Sequence, residues 1–457
     1  MIFSKFQLSV VSLFSALILT SASVGHAQEG RLLLRNAHVI VGDGSEIASA
    51  DVLIADGHII EVGDLADHTA DVTLDLDGKT VMPALIDGHA HLGYQAYSGW
   101  GAEHYGPENL QANLEQYAYY GFSAVFSAGS DPDALALSFQ EQQTANSQGY
   151  AQFLFAAGMA PPGQGPNNQF LIETAEVEGR TGMTILRGLA SPDQARIQVR
   201  EVAELGVGFI KIWVDDRGGS QLKLAPDIYR AVVEEASQLG LRVFVHQQNA
   251  PDMIDLIEAG ASGFLHGRLG EEFDAAVSGL LAEADVFIVP NLGLGELRRE
   301  AIGSDPFLSP LLDEQSSNRL TVNSLRSESP RLDPFVERTL RESMATFINA
   351  GGQLVLGTDA GAIPDHPFGY TGHRELEIYV RLGVPEMTAL VSATGNAARY
   401  LGLANQGLVR TGYEADLLIL DGNPLVDIRN TQRIDRVLLD GIEIDRDELV
   451  SRVTSEQ

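Results

Sequence analysis

Four histidines, one lysine and one aspartate are the residues of this sequence whose types and spacing could do chemistry. His89 and His91 stand one residue apart at the end of the apolar run 81–92. In an extended chain, residues i and i+2 point to the same side. The two imidazoles therefore project together and can bite one divalent cation. An H-x-H pair is equally at home in a surface turn, so its meaning rests on what else the chain supplies. His246 ends the apolar run 241–246, His266 ends the run 263–266, and Asp359 ends the run 353–359. Lys211 lies between Ile210 and Ile212 in the apolar run 208–213. An ammonium there would be desolvated at considerable cost, and burial would push its pKa down. A neutral amine can take up carbon dioxide as a carbamate, a bidentate anion able to bridge two metals. The plainer reading is a lysine reaching along the strand to a buried acid. The chain contains no cysteine, so disulfides, thiol catalysis and Cys-held metals are excluded.

These residues need elements that bring them to one place. After the H-x-H, helix and strand patterns alternate. Helices are predicted at 107–120 and 133–145, with strands at 122–127 and 151–157. A helix begins at Ser191, with Pro192 in the first turn and Gln194 three residues on from the cap, and Gly206 stops it. Strand 208–213 follows. Helices at 226–239 and 251–259, each stopped by a glycine, lead into strands 241–246 and 263–266. Helix 273–284 precedes strand 286–290, and helix 335–350 precedes strand 353–359. With the run at 81–92 this makes eight βα units, which argues for a closed parallel (β/α)8 TIM-like barrel whose site lies at the C-terminal strand ends. Every polar residue named above sits at or near such an end. The connections 161–187 and 294–334 leave the same face and read either as lids or substrate-recognition loops or as surface insertions.

Both chain ends have β character. Strands are predicted at 31–40, 50–55 and 58–62, and strand-and-turn segments at 407–421 and 435–441. The two ends are expected to join in one small β-sandwich. The resulting α/β division is 1–27 as a signal peptide, 28–82 and 405–457 as the two parts of the sandwich, and 83–404 as the barrel. Histidines 38, 58 and 68 read as solvated or turn residues.

The totals bound the partners. Lys+Arg is 30 against Asp+Glu 62, a net charge of −32, which argues against nucleic acid or an anionic membrane as a partner. Lys5, an apolar stretch over 8–19 and Gly25-His26-Ala27 have the order of a secretory leader cleaved after Ala27. An uncleaved anchor is the alternative, but Ser9, Ser12 and Ser15 interrupt a short apolar core. The expected location is periplasmic or secreted, with no integral span once the leader is removed. A homo-oligomer is left open.

The motifs PALIDGHAH (83–91), FIKIW (209–213), VH (245–246), FLHG (264–267) and GTDAG (357–361), with TGNAA (394–398), the Gly412…Ala415-Asp416-Leu417 return and Asn423-Pro424-Leu425, resemble the amidohydrolase superfamily. The resemblance is to its binuclear, carboxylated-lysine subtype and, within that, to the imidazolonepropionase-like and Xaa-Pro dipeptidase (prolidase)-like branch. It implies two divalent metals, with zinc the usual occupant and manganese, cobalt or iron also admitted. His89, His91 and Asp359 would hold the more buried one, His246 and His266 the second, and carboxylated Lys211 would bridge. It also implies a hydroxide shared by the metals as nucleophile, with Asp359 as the catalytic residue that takes its proton and passes it to the leaving amine. The expected activity is hydrolysis of a carbon–nitrogen bond in a small amide such as a dipeptide or N-acyl amino acid. A cyclic amide, an imidazolone or a lactone is the alternative on the same site, and a non-catalytic scaffold the remote one. Deamination is disfavoured, because the family's deaminases generally use one metal and lack the lysine. Tyr94, Arg268 and His373 lie just beyond site elements and could grip a substrate carbonyl or carboxylate. Arg298 and Arg299 in the loop 294–334, and His366, His104 and Asp365, are further candidates.

Overall fold

The computed structural model describes residues 30–145, 149–247, 249–266, 269–270, 273–322 and 332–455. The expected leader lies outside the described residues. Among them, no helix is long and apolar enough to cross a membrane.

The two ends of the chain meet, as their composition suggested. Strands Ile442–Glu443, Ile434–Leu439, Leu417–Leu420, Thr80–Pro83, Arg31–Ile40, Glu46–Ala55 and His58–Gly63 form one mixed sheet in that order, and Val72–Asp75 adds to Arg31–Ile40 as well. Alternating residues of these strands, among them Leu34, Val39, Val52, Ile54, Val81, Leu417 and Ile419, close a core of their own.

The apolar run 81–92 is not the single strand that its composition suggests. Thr80–Pro83 pairs antiparallel with Leu417–Leu420 in the terminal sheet. Leu85–Ala90 pairs in parallel with Phe122–Ser127. The change of partner falls on Ala84, whose N–H bonds Asp416 O at 2.9 Å while the next N–H, of Leu85, bonds Gly121 O at 2.9 Å. Both halves are buried, so both are apolar, and hydropathy carries no mark of the junction.

All the remaining strands run parallel. Leu85–Ala90, Phe122–Ser127 and Gln152–Phe155 form a three-stranded sheet. Leu186–Gly188, Ala157–Ala160, Phe209–Trp213, Arg242–His246, Gly263–Leu265, Phe287–Val289 and Gln353–Leu354 form a seven-stranded one. The third predicted strand thus passes from one sheet to the other at Ala156. On the far side, Ala90 bridges Ala360 in parallel, Gly88 N–H bonds Leu356 O at 2.8 Å, and Asp359 N–H bonds His89 O at 2.7 Å. Helices occupy the predicted intervals. Pro192–Leu205, for example, starts on Ser191, whose side chain accepts from Gln194 N–H, and ends at Gly206 with φ 85°, a left-handed cap that suits glycine.

One carboxylate fastens the first of these parallel strands to the segment that follows the last. Asp87 is buried; its Oδ1 accepts from the N–H of His89 at 3.0 Å and of Thr358 at 3.2 Å. Its Oδ2 accepts from the hydroxyls of Thr358 at 2.7 Å and Tyr117 at 2.8 Å. Burial pushes its pKa up to about 6 despite those four donors. Asp87→Ala would leave several buried donors unsatisfied, each worth about 1–3 kcal/mol. It should destabilise the fold by about 3 kcal/mol or more in urea unfolding, with Asp87→Asn milder because it keeps the shape and one acceptor oxygen.

Candidate active site

Strand Phe209–Trp213 alternates, so Ile210 and Ile212 enter the main apolar core and Lys211 points the other way. Its space is cleared by glycines. A Cβ on Gly129, which has φ 82°, would lie 2.8 Å from Lys211 Cβ, and one on Gly158, the strand partner of Lys211, would lie 2.6 Å from Gly129 O. Lys211 is fully buried, and its Nζ has no hydrogen-bond partner among the described residues. Burial pulls its pKa down to about 7, opposed by the charge of Asp359.

Asp359 is the group around which the histidines collect. Its Oδ1 lies 3.4 Å from His89 Nε2 and 3.1 Å from His91 Nε2, and its Oδ2 lies 3.5 Å from His266 Nε2. His246 continues the cluster, its ring 4.6 Å from that of His266. Burial alone would raise the Asp359 pKa; positive charge at His266, His89 and His91 would hold it well below the usual carboxylate range. All four rings are pushed down by burial, His266 to about 4, which keeps them neutral and fit to be ligands. His266 and Asp359 have φ 68° and 58°. For non-glycine residues this costs about 1–3 kcal/mol each and is typical of functional sites.

The far side of each of three rings is tied down. His89 Nδ1–H donates to Asn291 Oδ1 at 3.0 Å. His91 Nδ1 meets Ser130 Oγ at 2.8 Å. His246 Nε2–H donates to Asp215 Oδ2 at 3.2 Å. Such outer partners fix the tautomer and aim the other nitrogen, as they do around bound metals. The inward atoms His89 Nε2, Lys211 Nζ and Asp359 Oδ1 are buried without hydrogen-bond partners among the described residues, and His89, His266 and Asp359 offer ligand atoms within 4.8 Å of one another. Orphaned donors and acceptors of this kind fit a divalent cation.

Residues 80–443 match the model of the Amidohydrolase family. The chain belongs to that family. This amidohydrolase is 24% identical to the ochratoxinase of Aspergillus niger over 426 residues, covering 86% of this chain and 81% of that protein. It is 21% identical to a 5'-deoxyadenosine deaminase of Methanosarcina mazei over 433 residues, 85% and 84% of the two chains. A solved prolidase complexed with N-methylphosphonate-L-proline superposes with a TM-score of 0.70 at 24% identity, over 91% of this chain and 99% of that one. Hydrolysis of carbon–nitrogen bonds is the chemistry of the family.

In this amidohydrolase the six predicted ligand residues come together, but of the predicted substrate contacts Tyr94 and His373 do not join them. Tyr94 is buried and its hydroxyl donates to Ser130 O at 2.7 Å, so it braces the residue that holds His91. His373 is buried between Tyr120 O, 2.8 Å from Nε2, and Thr431 Oγ1, 3.0 Å from Nδ1. Arg268 lies outside the described residues. Arg298 and Arg299 are exposed, and Arg299 Nε donates to the carbonyl of Gly295. Asp365 pairs with Arg319, His104 is 3.6 Å from Glu103, and His366 bonds Thr358 O. Of the two long connections, 161–187 does reach the site. It folds as helix Asn168–Thr181, capped by Asn167, and sets Phe170 edge-on to His91 at 5.0 Å. Asn291, Ser130 and Asp215 were missed. Asn291 had a signal, a polar residue after strand Phe287–Val289 and therefore at the same end as the ligands. Asn291→Ala should leave the fold intact and weaken divalent-metal binding about 10–100-fold, as read by equilibrium dialysis.

Proposed function

We propose that this protein is a binuclear metal hydrolase of a small linear amide whose leaving amine carries a carboxylate, such as a dipeptide or an N-acyl amino acid. The observation that carries the metal chemistry is Lys211, an amine buried with no hydrogen-bond partner among the described residues, its pKa brought down to about 7 by burial. Its neutral form can attack carbon dioxide. The Nζ–C bond forms, a proton leaves, and a desolvated cation becomes an anion facing four imidazoles. His89, His91 and Asp359 would hold one divalent cation, probed first as zinc, and His246 and His266 the second, with carboxylated Lys211 between them. When bound, two such cations polarise a scissile carbonyl and lower the pKa of water.

The residues of the chain supply the rest. Asp359 takes a proton from water on its carboxylate and returns it to the leaving nitrogen. Asn291, Ser130 and Asp215 keep the rings aimed. Phe170 walls the His91 side and keeps solvent from it. The leaving-group carboxylate is suggested by the likeness to a prolidase fold, and the matched relatives differ in their named substrates.

We extend the reading to architecture and location. The two parallel sheets are taken as arcs of one closed eight-stranded barrel over 83–404, supported by the continuity through Ala156 and the Ala90–Ala360 bridge. The branched terminal sheet, 28–82 with 405–457, is taken as a sandwich around its separate core. Residues 1–27 are taken as a cleaved leader and the mature protein as periplasmic or secreted.

Metal analysis of purified protein, followed by a panel of dipeptides, N-acyl amino acids, cyclic amides and lactones, tests this function. Activity confined to cyclic amides or lactones would sink the linear-amide reading. Lys211→Ala should lose most activity and one or both metals, with partial rescue by a short carboxylic acid in the buffer; full metal content and activity would remove the bridge. Asp359→Asn keeps the shape but cannot take a proton, so kcat should fall about 10²–10⁴-fold in steady-state assays of the folded variant.

A further inference from the structure

The turn that follows the Lys211 strand carries a guanidinium that the metal chemistry leaves unused. Asp215, Asp216, Arg217, Gly218 and Gly219 form it. Arg217 has φ 53°, followed by glycines at 68° and 86°. Its N–H donates to Asp215 Oδ1 at 3.0 Å, which holds a conformation that a non-glycine residue rarely adopts. The turn is also pinned from outside. Gln221 Nε2 donates to Pro166 O at 3.1 Å and Asn168 Oδ1 at 2.8 Å, and Leu222 N–H donates to Gln164 Oε1 at 3.1 Å. This is the connection that sets Phe170 on His91, so the turn and the aromatic wall are one assembly.

The Arg217 side chain is 20% exposed, and its Nε lies 3.4 Å from Asp215 Oδ2, the oxygen that also receives His246 Nε2–H. Neither Nε nor the two Nη groups hydrogen-bond a described residue. Through that shared Asp215 oxygen the guanidinium is joined to His246, which places it beside the site. An arginine needs a planar anion to satisfy its fork. Asp215 offers it one oxygen already shared with an imidazole. Among the described residues, none takes the fork end, which is open to a second anion.

We propose that Arg217 binds the carboxylate of the substrate's leaving group, held on its spot by Asp215. The assignment rests on the linear-amide reading above and adds to it the residue that selects the acid. It puts recognition of the leaving group and the orientation of His246 on one carboxylate, Asp215.

The experiment compares kcat/KM for the best N-acetyl amino acid or dipeptide of the panel with that for its C-terminal amide. It is run on the metal-loaded wild type, Arg217→Gln and Arg217→Lys, with metal content measured for each. Wild type should prefer the acid by about tenfold or more, the worth of a charge-assisted contact. Arg217→Gln should bring the acid-to-amide ratio close to one at unchanged metal content. Arg217→Lys keeps the charge without the fork and should fall between, and it serves as the reading if the glutamine variant does not fold. Retention of the wild-type ratio in the variants would overturn the assignment and leave the amide hydrolase standing. An equal fall on acid and amide, or a loss of metal, would overturn it in favour of a role confined to positioning Asp215 and His246. Wild type that treats acid and amide alike, or hydrolyses neither, would remove the carboxylate reading itself.

Discussion

One buried carboxylate sets the terms for the centre of this protein. Asp359 is tied by its N–H to the carbonyl of His89, faces three imidazoles across 3.1–3.5 Å, and lies within reach of the charge of a buried amine. In a medium of low polarity each of these groups is costly alone. The arrangement makes chemical sense when the amine and the rings are neutral and a cation sits among them. The outer hydrogen bonds then follow. Asn291, Ser130 and Asp215 each take the outward nitrogen of one ring, so the inward nitrogens are presented as lone pairs.

The same constraint explains the scaffold close to the site. Rings that must point inward from adjacent strands need those strands kept in register. Asp87 does this by receiving donors from the first parallel strand and from Thr358, just beyond the last, together. Glycines at 129 and 158 keep side chains out of the space that Lys211 occupies. Left-handed backbone at Asn291, His266 and Asp359 turns the chain out of the ladder just where a ligand or its support is required. The local strain is borne because pairing on both sides fixes the positions.

Much of this was legible in the residue order. Lys211 stood out because a lysine between isoleucines in a strand has nowhere cheap to go. His246, His266 and Asp359 stood out because each closed an apolar run. The supports were harder to read. Ser130 and Asp215 lie in turns after strands, where serine and aspartate are ordinary, and only the spatial neighbour reveals their role. Tyr94 and His373 looked well placed along the chain, but their side chains leave the site to bond Ser130, Tyr120 and Thr431. Proximity in sequence to a strand end does not fix which way a side chain turns. The division of the run 81–92 was invisible for another reason, since both halves are buried and hydropathy cannot tell one core from another.

The change of partner at Ala84 reaches into the order in which the molecule can be assembled. Thr80–Pro83 finds its partner on one side in Arg31–Ile40 and on the other in Leu417–Leu420, more than three hundred residues later. The strand that carries His89 begins one residue after it. A chain emerging N-terminus first can therefore form its early hairpins, but it cannot close the sheet that anchors the ligand strand until nearly all of it has been synthesised. Pairings this distant are slow to find, and the unpaired edge is open to wrong partners meanwhile. The topology makes completion of the site a late event, reached only by a chain that has stayed soluble and uncommitted up to its last strands.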